Sequence, residues 1–325
     1  MKFSLIIPLA PERDAEIIES IRKLDYPKSD FSVIIVKGKN PSDNRNKGAM
    51  NAKGEIIGFL DDDALVDEDL LKNVEEFFEE HPDIDIVGGP QLTPYDEVGF
   101  AKTSGYALSS KFGAWNLSQR YSRKKLNLNA DEGSLTSANL FVKRAVMDKI
   151  KFDSNLFPGE DPKFIDDAKK YGFNVAYSPD LIIYHRRRPK IKSLIKQIFN
   201  YGKVRPAKES FISTLKKPFF LIPSLFLIYL FILAISILVN PTIIRGAIGI
   251  GNNLNYLTLN FLLFVPLFLY IFIDLGFSVY DSIRNKAYSA IFLLPFIYPT
   301  IHISYGIGMI YGYLKKLKKI VLLSK

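Results

Sequence analysis

Three consecutive aspartates, Asp61, Asp62 and Asp63, follow a short apolar run in the segment FLDDDA. Carboxylates crowded at the end of a buried strand repel one another and lose solvation, so a cation normally compensates their charge. Mg²⁺ and Mn²⁺ take carboxylate oxygens and commonly keep phosphate oxygens as further ligands. Asp61 and Asp63 are two residues apart and can both face one crevice, as a metal site for a diphosphate would require. The alternative is an exposed acidic turn that caps the next helix.

A second acidic pair, Glu160 and Asp161, lies in the segment PGED. A positioned carboxylate can remove a proton from a reacting hydroxyl, a contribution of about 10²- to 10⁴-fold to the rate. An acid that caps the helix after Pro162 is the alternative. His185 follows an apolar run and is either a third metal ligand, a diphosphate contact or a structural histidine.

Elements that position these residues follow from the periodicity. The apolar runs 3–7, 32–36 and 56–60 are rich in β-branched residues, and helix-like segments separate them. Alternating strands and helices predict a doubly wound α/β domain, which binds ligands at the carboxyl ends of its strands. The aspartates directly after Leu60 lie at such an end. The remaining elements predicted are a helix at 67–80, strands at 84–88 and 137–142, a helix at 162–171, strands at 174–177 and 181–184, and irregular connections with short helices over 91–134.

The net charge of +9 is concentrated in one stretch. Residues 186–217 contain eleven Lys or Arg against one acid, Glu209. A basic segment beside an apolar run is typical of a cytoplasmic membrane flank. No nucleic-acid-reading module accompanies it, so we expect no nucleic-acid partner. The chain has no cysteine, which excludes disulfides and thiolate metal sites.

Three apolar runs, at 218–239, 254–273 and 288–313, each reach the ~20 residues needed to cross a bilayer. Buried core helices are the alternative. We therefore predict three regions: a domain at 1–190, a basic amphipathic interfacial linker at 191–217 and a transmembrane region at 218–325. No signal peptide is evident, so the first domain is expected in the cytosol. Three crossings would put Lys315 to Lys319 on the far side, against the positive-inside rule, and an even number would remove this conflict.

The ordered set of motifs resembles the family-2 glycosyltransferases of the GT-A fold over residues 3 to about 205. These motifs are NRNKG, DDD, PGED and YH followed by QIFNYGKVR. The last one resembles the subgroup near the succinoglycan-type and polyprenyl-linked sugar transferases. The fold implied is an α/β GT-A domain, Rossmann-like, followed by an α-helical transmembrane region.

The resemblance also implies roles for the residues. Asp161 would be the general base with Glu160 beside it, and Asp61, Asp63 and His185 would hold Mg²⁺ or Mn²⁺. A larger set would contact the nucleotide-sugar donor: Pro8, Arg45, Asn46, Asp61, Asp62, Asn139, Gln197 and Arg205. Several of these residues also have a purely structural explanation. Arg45 would lie on a solvated helix face, Asn139 would be part of a polar turn, and Gln197 and Arg205 would take part in interfacial packing.

Two departures from the family pattern bear on the expected function. The second strand is followed by Lys37 and Lys39 where the family usually has an acid that reads the nucleobase, so the resemblance does not identify the donor nucleotide. The Gln-x-x-Arg-Trp motif of processive synthases is absent after Gln197, which disfavours polymer extrusion. From the resemblance and the apolar runs we expect an inverting, metal-dependent hexosyltransferase that moves one sugar to a lipid-linked polyprenyl or dolichyl acceptor at the cytosolic membrane face. A polyprenyl-phosphate sugar synthase is the alternative enzyme, and a membrane-anchored sugar-nucleotide sensor or scaffold the alternative without catalysis.

Overall fold

A computed structural model describes residues 1–247 and 254–323. The chain divides into two compact units, Met1–Lys190 and Ile191–Lys325. Residues 248–253 and 324–325, which belong to the predicted transmembrane region, lie outside the described residues.

The first unit alternates strands and helices, as the periodicity predicts. Its strands are β1 (Phe3–Leu9), β2 (Phe31–Lys37), β3 (Ile56–Leu60), β4 (Ala64–Val66), β5 (Ile86–Gly88), β6 (Gln91–Leu92), β7 (Asn139–Lys143), β8 (Val175–Tyr177) and β9 (Ile183–His185). Its α-helices are α1 (Ile17–Arg22), α2 (Pro41–Asn51), α3 (Leu70–Glu80), α4 (Gly99–Ser109), α5 (Lys111–Ala114), α6 (Arg144–Met147) and α7 (Glu160–Lys170). A 3₁₀ helix covers Trp115–Tyr121.

The main sheet has six strands in the order β2-β1-β3-β7-β5-β8. β1 pairs in parallel with β2 and β3, whereas β7 runs antiparallel to both β3 and β5. The predicted α/β fold is confirmed, and its main sheet is mixed. The antiparallel register pairs Leu60 with Asn139, so the start of β7 lies beside the end of β3.

Side chains of β1 alternate between two hydrophobic cores, one on each face of the sheet. Phe3, Leu5 and Ile7 pack in a core with α1 and α3, while Ile6 packs in the other core with residues of α2 and α7. All seven residues of β1 are buried. A strand covered on both faces reads as a continuous apolar run, and this is why the FSLII pattern predicts a central strand.

The strand that follows the aspartates, β4, belongs to a second sheet of three strands in the order β4-β9-β6. β4 pairs antiparallel with β9, and the register sets Ala64 opposite His185. β4 was not predicted because three residues carry too little periodicity. Its pairing determines where His185 lies.

The second unit is helical. Its helices are α8 (Ile191–Lys208), α9 (Phe211–Leu215), α10 (Ile222–Val239), α11 (Thr242–Ala247), α12 (Leu254–Arg284) and α13 (Leu294–Leu323), with 3₁₀ turns at Pro218–Phe220 and Tyr288–Phe292. Among the described residues, two segments are long and apolar enough to cross a membrane, Ile222–Val239 and Asn260–Arg284, with mean hydropathy of 2.7 and 2.2. These overlap the first two predicted spans.

The third predicted span, 288–313, divides into a 3₁₀ turn and the first part of α13. α13 packs on the basic helix α8 through glycines. A Cβ atom on Gly308 would lie 2.1 Å from the carbonyl oxygen of Phe199, and one on Gly202 would lie 2.1 Å from that of Tyr305. The two backbones are therefore in direct contact, which requires residues without side chains.

We expect Gly308→Ala to destabilise the second unit by about 1 to 3 kcal/mol, because the added methyl group meets the backbone of α8. Gly276→Ala in α12 is the matched control, since a Cβ there meets nothing within 4 Å. Thermal melting in detergent should show a lower Tm for the first variant and no decrease in Tm for the second. Equal Tm values would contradict the close packing.

Candidate functional site

Two carboxylates and an imidazole converge at the carboxyl end of β3. The Nε2 atom of His185 lies 3.1 Å from Oδ1 of Asp63 and 3.8 Å from Oδ2 of Asp61. The three residues offer ligand atoms that all lie within 4.8 Å of one another. The pairing of β4 with β9 thus brings together residues that are far apart in the sequence.

This set of ligands fits a divalent cation. Carboxylate oxygens suit Mg²⁺ and Mn²⁺, and imidazole nitrogen is a common protein ligand for transition metals. The residues Asp61, Asp63 and His185 are partly buried. The structure therefore gives the predicted metal ligands a common location, while metal binding by these residues and the identity of the metal stay predictions.

Electrostatics within this cluster favour the charged forms. Burial opposes ionisation of Asp61, but the interactions with His185 and with the charge of Arg45 outweigh it and hold the pKa of Asp61 below its usual range. For His185, burial works against the imidazolium, yet the interactions with the carboxylates of Asp61 and Asp63 raise its pKa to about 9. Without a metal, a protonated His185 supplies the compensating positive charge.

Arg13 is a site residue that the sequence analysis missed. Its Nη1 atom lies 3.1 Å from Oδ1 of Asp62, and its Nη2 atom donates to Oδ2 of Asp63 at 2.8 Å. Burial raises the pKa of Asp62 to about 6, with Arg13 opposing the shift. Arg13 follows β1, and a basic residue after the carboxyl end of a parallel strand is the signal that could have identified it.

Arg45 connects the two predicted halves of the site. One terminal nitrogen donates to Oδ1 of Asp61 and the other to Oε1 of Glu160, both at 2.9 Å. Arg45 is 4% exposed and Glu160 3%. Burial and the neighbouring Asp161 raise the pKa of Glu160 to about 7, against the effect of Arg45. The solvated-face alternative for Arg45 does not hold.

Replacing Arg45 with methionine should strongly destabilise the first unit. The change leaves the buried Glu160 without its cation, and breaking a buried ion pair costs about 3 to 5 kcal/mol. For a unit of this size we expect a fall in Tm on the order of 10 °C. Arg123→Met is the control, since its pair with Asp180 is exposed and is worth at most ~1 kcal/mol. Similar Tm values for both variants would contradict the proposed importance of the bridge.

Asp161 lies in the first turn of α7, where its Oδ1 atom accepts a hydrogen bond from Oγ of Ser137 at 2.5 Å. The helix N-cap is Gly159, with φ of 150°, a value that side chains rarely adopt. Neither acid of PGED is therefore the N-cap residue, although Oε2 of Glu160 accepts a hydrogen bond from the backbone N–H of Gly159 at 2.8 Å. The other oxygen of Glu160 turns inward to Arg45, which leaves Asp161 as the less buried of the two carboxylates.

Three predicted donor contacts have structural partners of their own. Asn46 binds the backbone of Phe152 through both amide atoms, at 2.8 and 3.0 Å. Asn139 donates to the carbonyl of Leu181 at 2.7 Å, while its Oδ1 atom is buried with no partner among the described residues. Pro8 is buried within β1. Their contacts with a donor stay predictions.

Gln197 and Arg205 belong to the second unit. The side-chain amide of Gln197 donates to the hydroxyl of Tyr201 at 3.0 Å. Arg205 is buried, pairs with Glu209 at 3.3 Å and stacks over the ring of Phe220. These contacts agree with the packing alternative for this segment, and a role in donor binding stays a prediction.

Residues 10–151 match the family model "Glycosyl transferase family 2". The minor teichoic acid biosynthesis protein GgaB of Bacillus subtilis is 32% identical over 168 residues, which are 49% of this chain and 17% of GgaB. A dolichyl N-acetyl-alpha-D-glucosaminyl phosphate 3-beta-D-2,3-diacetamido-2,3-dideoxy-beta-D-glucuronosyltransferase of Methanococcus voltae is 23% identical over 241 residues, covering 61% of this chain and 71% of that protein.

Among solved structures, the mannosyltransferase PcManGT of Pyrobaculum calidifontis, in complex with GDP-Man and Mn²⁺, superposes with a TM-score of 0.55. It is 12% identical, and the match covers 97% of this chain and 88% of that one. The first unit thus has the GT-A fold, and C-terminal helices follow it. Glu160, Asp161 and His185 lie beyond the segment that the family model matches.

Proposed function

We propose that this protein is an inverting glycosyltransferase that moves one sugar from a nucleotide-sugar to a lipid-linked acceptor at the cytosolic face of a membrane. The observation that carries the proposal is the convergence of Asp61, Asp63 and His185 beside an Arg45 that also binds Glu160. Arg45 thus links the proposed metal ligands to the carboxylate pair Glu160 and Asp161. A domain that only bound a nucleotide-sugar would have no need of this carboxylate pair.

Asp61, Asp63 and His185 would hold Mg²⁺ or Mn²⁺ at the donor diphosphate. The bound metal would stabilise the negative charge that develops on the departing nucleoside diphosphate. Arg13 and Arg45 flank the carboxylates and keep them in place through the contacts described above. The orientation of the carboxylates is therefore set by protein contacts.

Asp161 would take the proton from the acceptor hydroxyl. As that oxygen bonds to the anomeric carbon, the bond between this carbon and the diphosphate oxygen breaks, and one displacement inverts the configuration. Ser137 orients Asp161 by donating to Oδ1, which leaves Oδ2 as the oxygen that can accept the proton. Ser137 is fully buried, so this orientation is fixed by packing.

The second unit supports a lipid-linked acceptor. Two apolar helices are long enough to cross a bilayer, and an enzyme with a soluble acceptor gains little from them. The Methanococcus voltae relative is named for a dolichyl-linked sugar phosphate, which agrees with this class of acceptor. The basic stretch 186–217 favours a cytosolic flank.

Donor binding tests the proposal most directly. We expect nucleoside diphosphates with Mn²⁺ to raise the Tm of the purified chain, because a ligand that binds the folded state at 100 times its Kd stabilises it by about 2.7 kcal/mol. The same nucleosides without phosphates are the control and should give a much smaller shift. Sugar transfer to polyprenyl-linked acceptors is then measured with nucleotide-sugars of the nucleotide that stabilises the chain. Binding without transfer to any acceptor would favour the sensor alternative.

A further inference from the structure

The end of α13 lies beside the basic linker within the second unit. The Nζ atom of Lys316 donates to the carbonyl oxygens of Pro206 and Glu209, at 2.5 and 2.9 Å. The hydroxyl of Tyr313 lies 3.2 Å from that of Thr214, and its ring contacts the ring of Phe211. The C-terminal lysines are therefore on the same side as α8 and α9.

The direction of α13 follows from these contacts. Gly308 meets Phe199, and Gly312 meets Lys203, so α13 runs parallel to α8. α8 contains several Lys and Arg residues and cannot lie in the hydrocarbon core. The part of α13 that packs along it consequently does not cross the membrane either.

The two apolar helices form an antiparallel hairpin. The ring of Phe226 stacks on that of Tyr270, and the hydroxyl of Tyr229 donates to the carbonyl of Leu263 at 2.8 Å. Later residues of α10 therefore contact earlier residues of α12, so the two helices run antiparallel. The start of α10 is joined to α13 by a hydrogen bond from Ser224 to Gly306. The end of α12 is joined to it by a 2.6 Å hydrogen bond from Tyr298 to Asp281.

We propose that the chain crosses the membrane twice, through α10 and α12, and that a basic surface beside this hairpin binds anionic lipid headgroups. The basic surface consists of α8, α9 and the end of α13 from Tyr313 to Lys318. All three segments expose apolar side chains next to lysines: Ile191, Ile195, Lys192 and Lys196 in α8, Phe211 and Ile212 in α9 with Lys216 directly after it, and Leu314, Leu317, Lys315 and Lys318 in α13.

This combination fits a membrane interface better than a protein or nucleic-acid partner. Apolar side chains enter the boundary between headgroups and acyl chains, while lysines extend to anionic headgroups. Each basic residue near such a surface strengthens binding about fivefold. The lysines at 315–319 then fall on the linker side, in accord with the positive-inside rule. The inference rests on the membrane anchoring in the proposed function and is independent of sugar transfer.

Single cysteines test the crossing number, because the chain has none of its own. Ala207→Cys, Lys318→Cys and Pro241→Cys are exposed sites in α8, in α13 and after α10. A membrane-impermeant maleimide, applied to inside-out and right-side-out vesicles, should label the first two from one side and the third from the other. Labelling of Lys318→Cys from the side of Pro241→Cys would overturn the two-crossing arrangement and leave the proposed activity untouched. Release of the full chain by alkaline carbonate would overturn both.

Lipid preference tests the basic surface. Energy transfer from a dye on the Ala207→Cys variant to trace headgroup-labelled phosphatidylglycerol should exceed that to phosphatidylcholine severalfold and fall at high salt. The combined change Lys192→Gln, Lys196→Gln, Lys315→Gln and Lys318→Gln should reduce this ratio to near one. The control removes the same charge from exposed lysines of the first unit, through Lys23→Gln, Lys53→Gln, Lys125→Gln and Lys149→Gln. An unchanged ratio in the first variant, or an equal loss in the control, would overturn the proposal.

Discussion

Asp161→Asn is expected to lower sugar transfer by about 10²- to 10⁴-fold while the Kd of the donor stays within error. Asparagine keeps the size of the side chain and can still accept the hydrogen bond from Ser137, so the local packing is preserved. It cannot take a proton from the acceptor hydroxyl. Donor Kd by calorimetry and transfer rates on lipid acceptors, measured side by side, separate the two effects.

Asp167→Asn on the same helix is the matched control, because Asp167 pairs with Lys163 away from the site. Its transfer rate should equal that of the wild type. A much smaller loss for Asp161→Asn would indicate an acceptor that is already anionic, such as a polyprenyl phosphate. Equal rates for wild type and both variants would rule out Asp161 as the base.

Removal of the metal is the second change with a large expected effect. Chelation should abolish transfer, and Asp63→Ala should lower it by at least about 10²-fold, since a metal contributes several kcal/mol of charge stabilisation. Asp63→Ala should also weaken binding of a nucleoside diphosphate more than that of the nucleoside, because Asp63 would act through the metal on the phosphates.

Asp69→Ala serves as the control for that substitution. Asp69 lies six residues further along, is exposed and pairs with Lys72 on the surface. Its transfer rate and nucleotide affinity should be unchanged. Full transfer activity in excess chelator would contradict a role for any divalent metal, whatever the result with Asp63→Ala.

The first strands and the aspartate site could be predicted because their signals are local. β1 and β3 are continuous apolar runs, and a buried strand followed directly by three carboxylates identifies a strand end. The orientation of β7 could not be predicted in this way. Its residues are buried like those of a parallel strand, and its direction is set by its pairing with β3 on one side and β5 on the other.

Partners across the site were harder to predict from the sequence. Arg13, which contacts Asp63, is indicated only by its place after β1. Ser137 reaches Asp161 through a tertiary contact and belongs to no motif with a recognisable spacing. The length of an apolar run likewise could not show that α13 packs on α8. Gly308 and Gly312 are four residues apart and mark a close helix contact, but the partner helix is set by the fold.

The carboxylate cluster already holds two cationic side chains, Arg13 and Arg45. Both arginines keep their charge at any physiological pH, so the carboxylates never face one another without counterions. Arg13 must release or share Asp63 when another cation arrives, which lowers the net gain for an ion that comes alone. A cation that arrives with a diphosphate brings anionic oxygens that the displaced guanidinium can bind. For the proposed activity we therefore expect metal and donor to bind together, and metal and product to leave together.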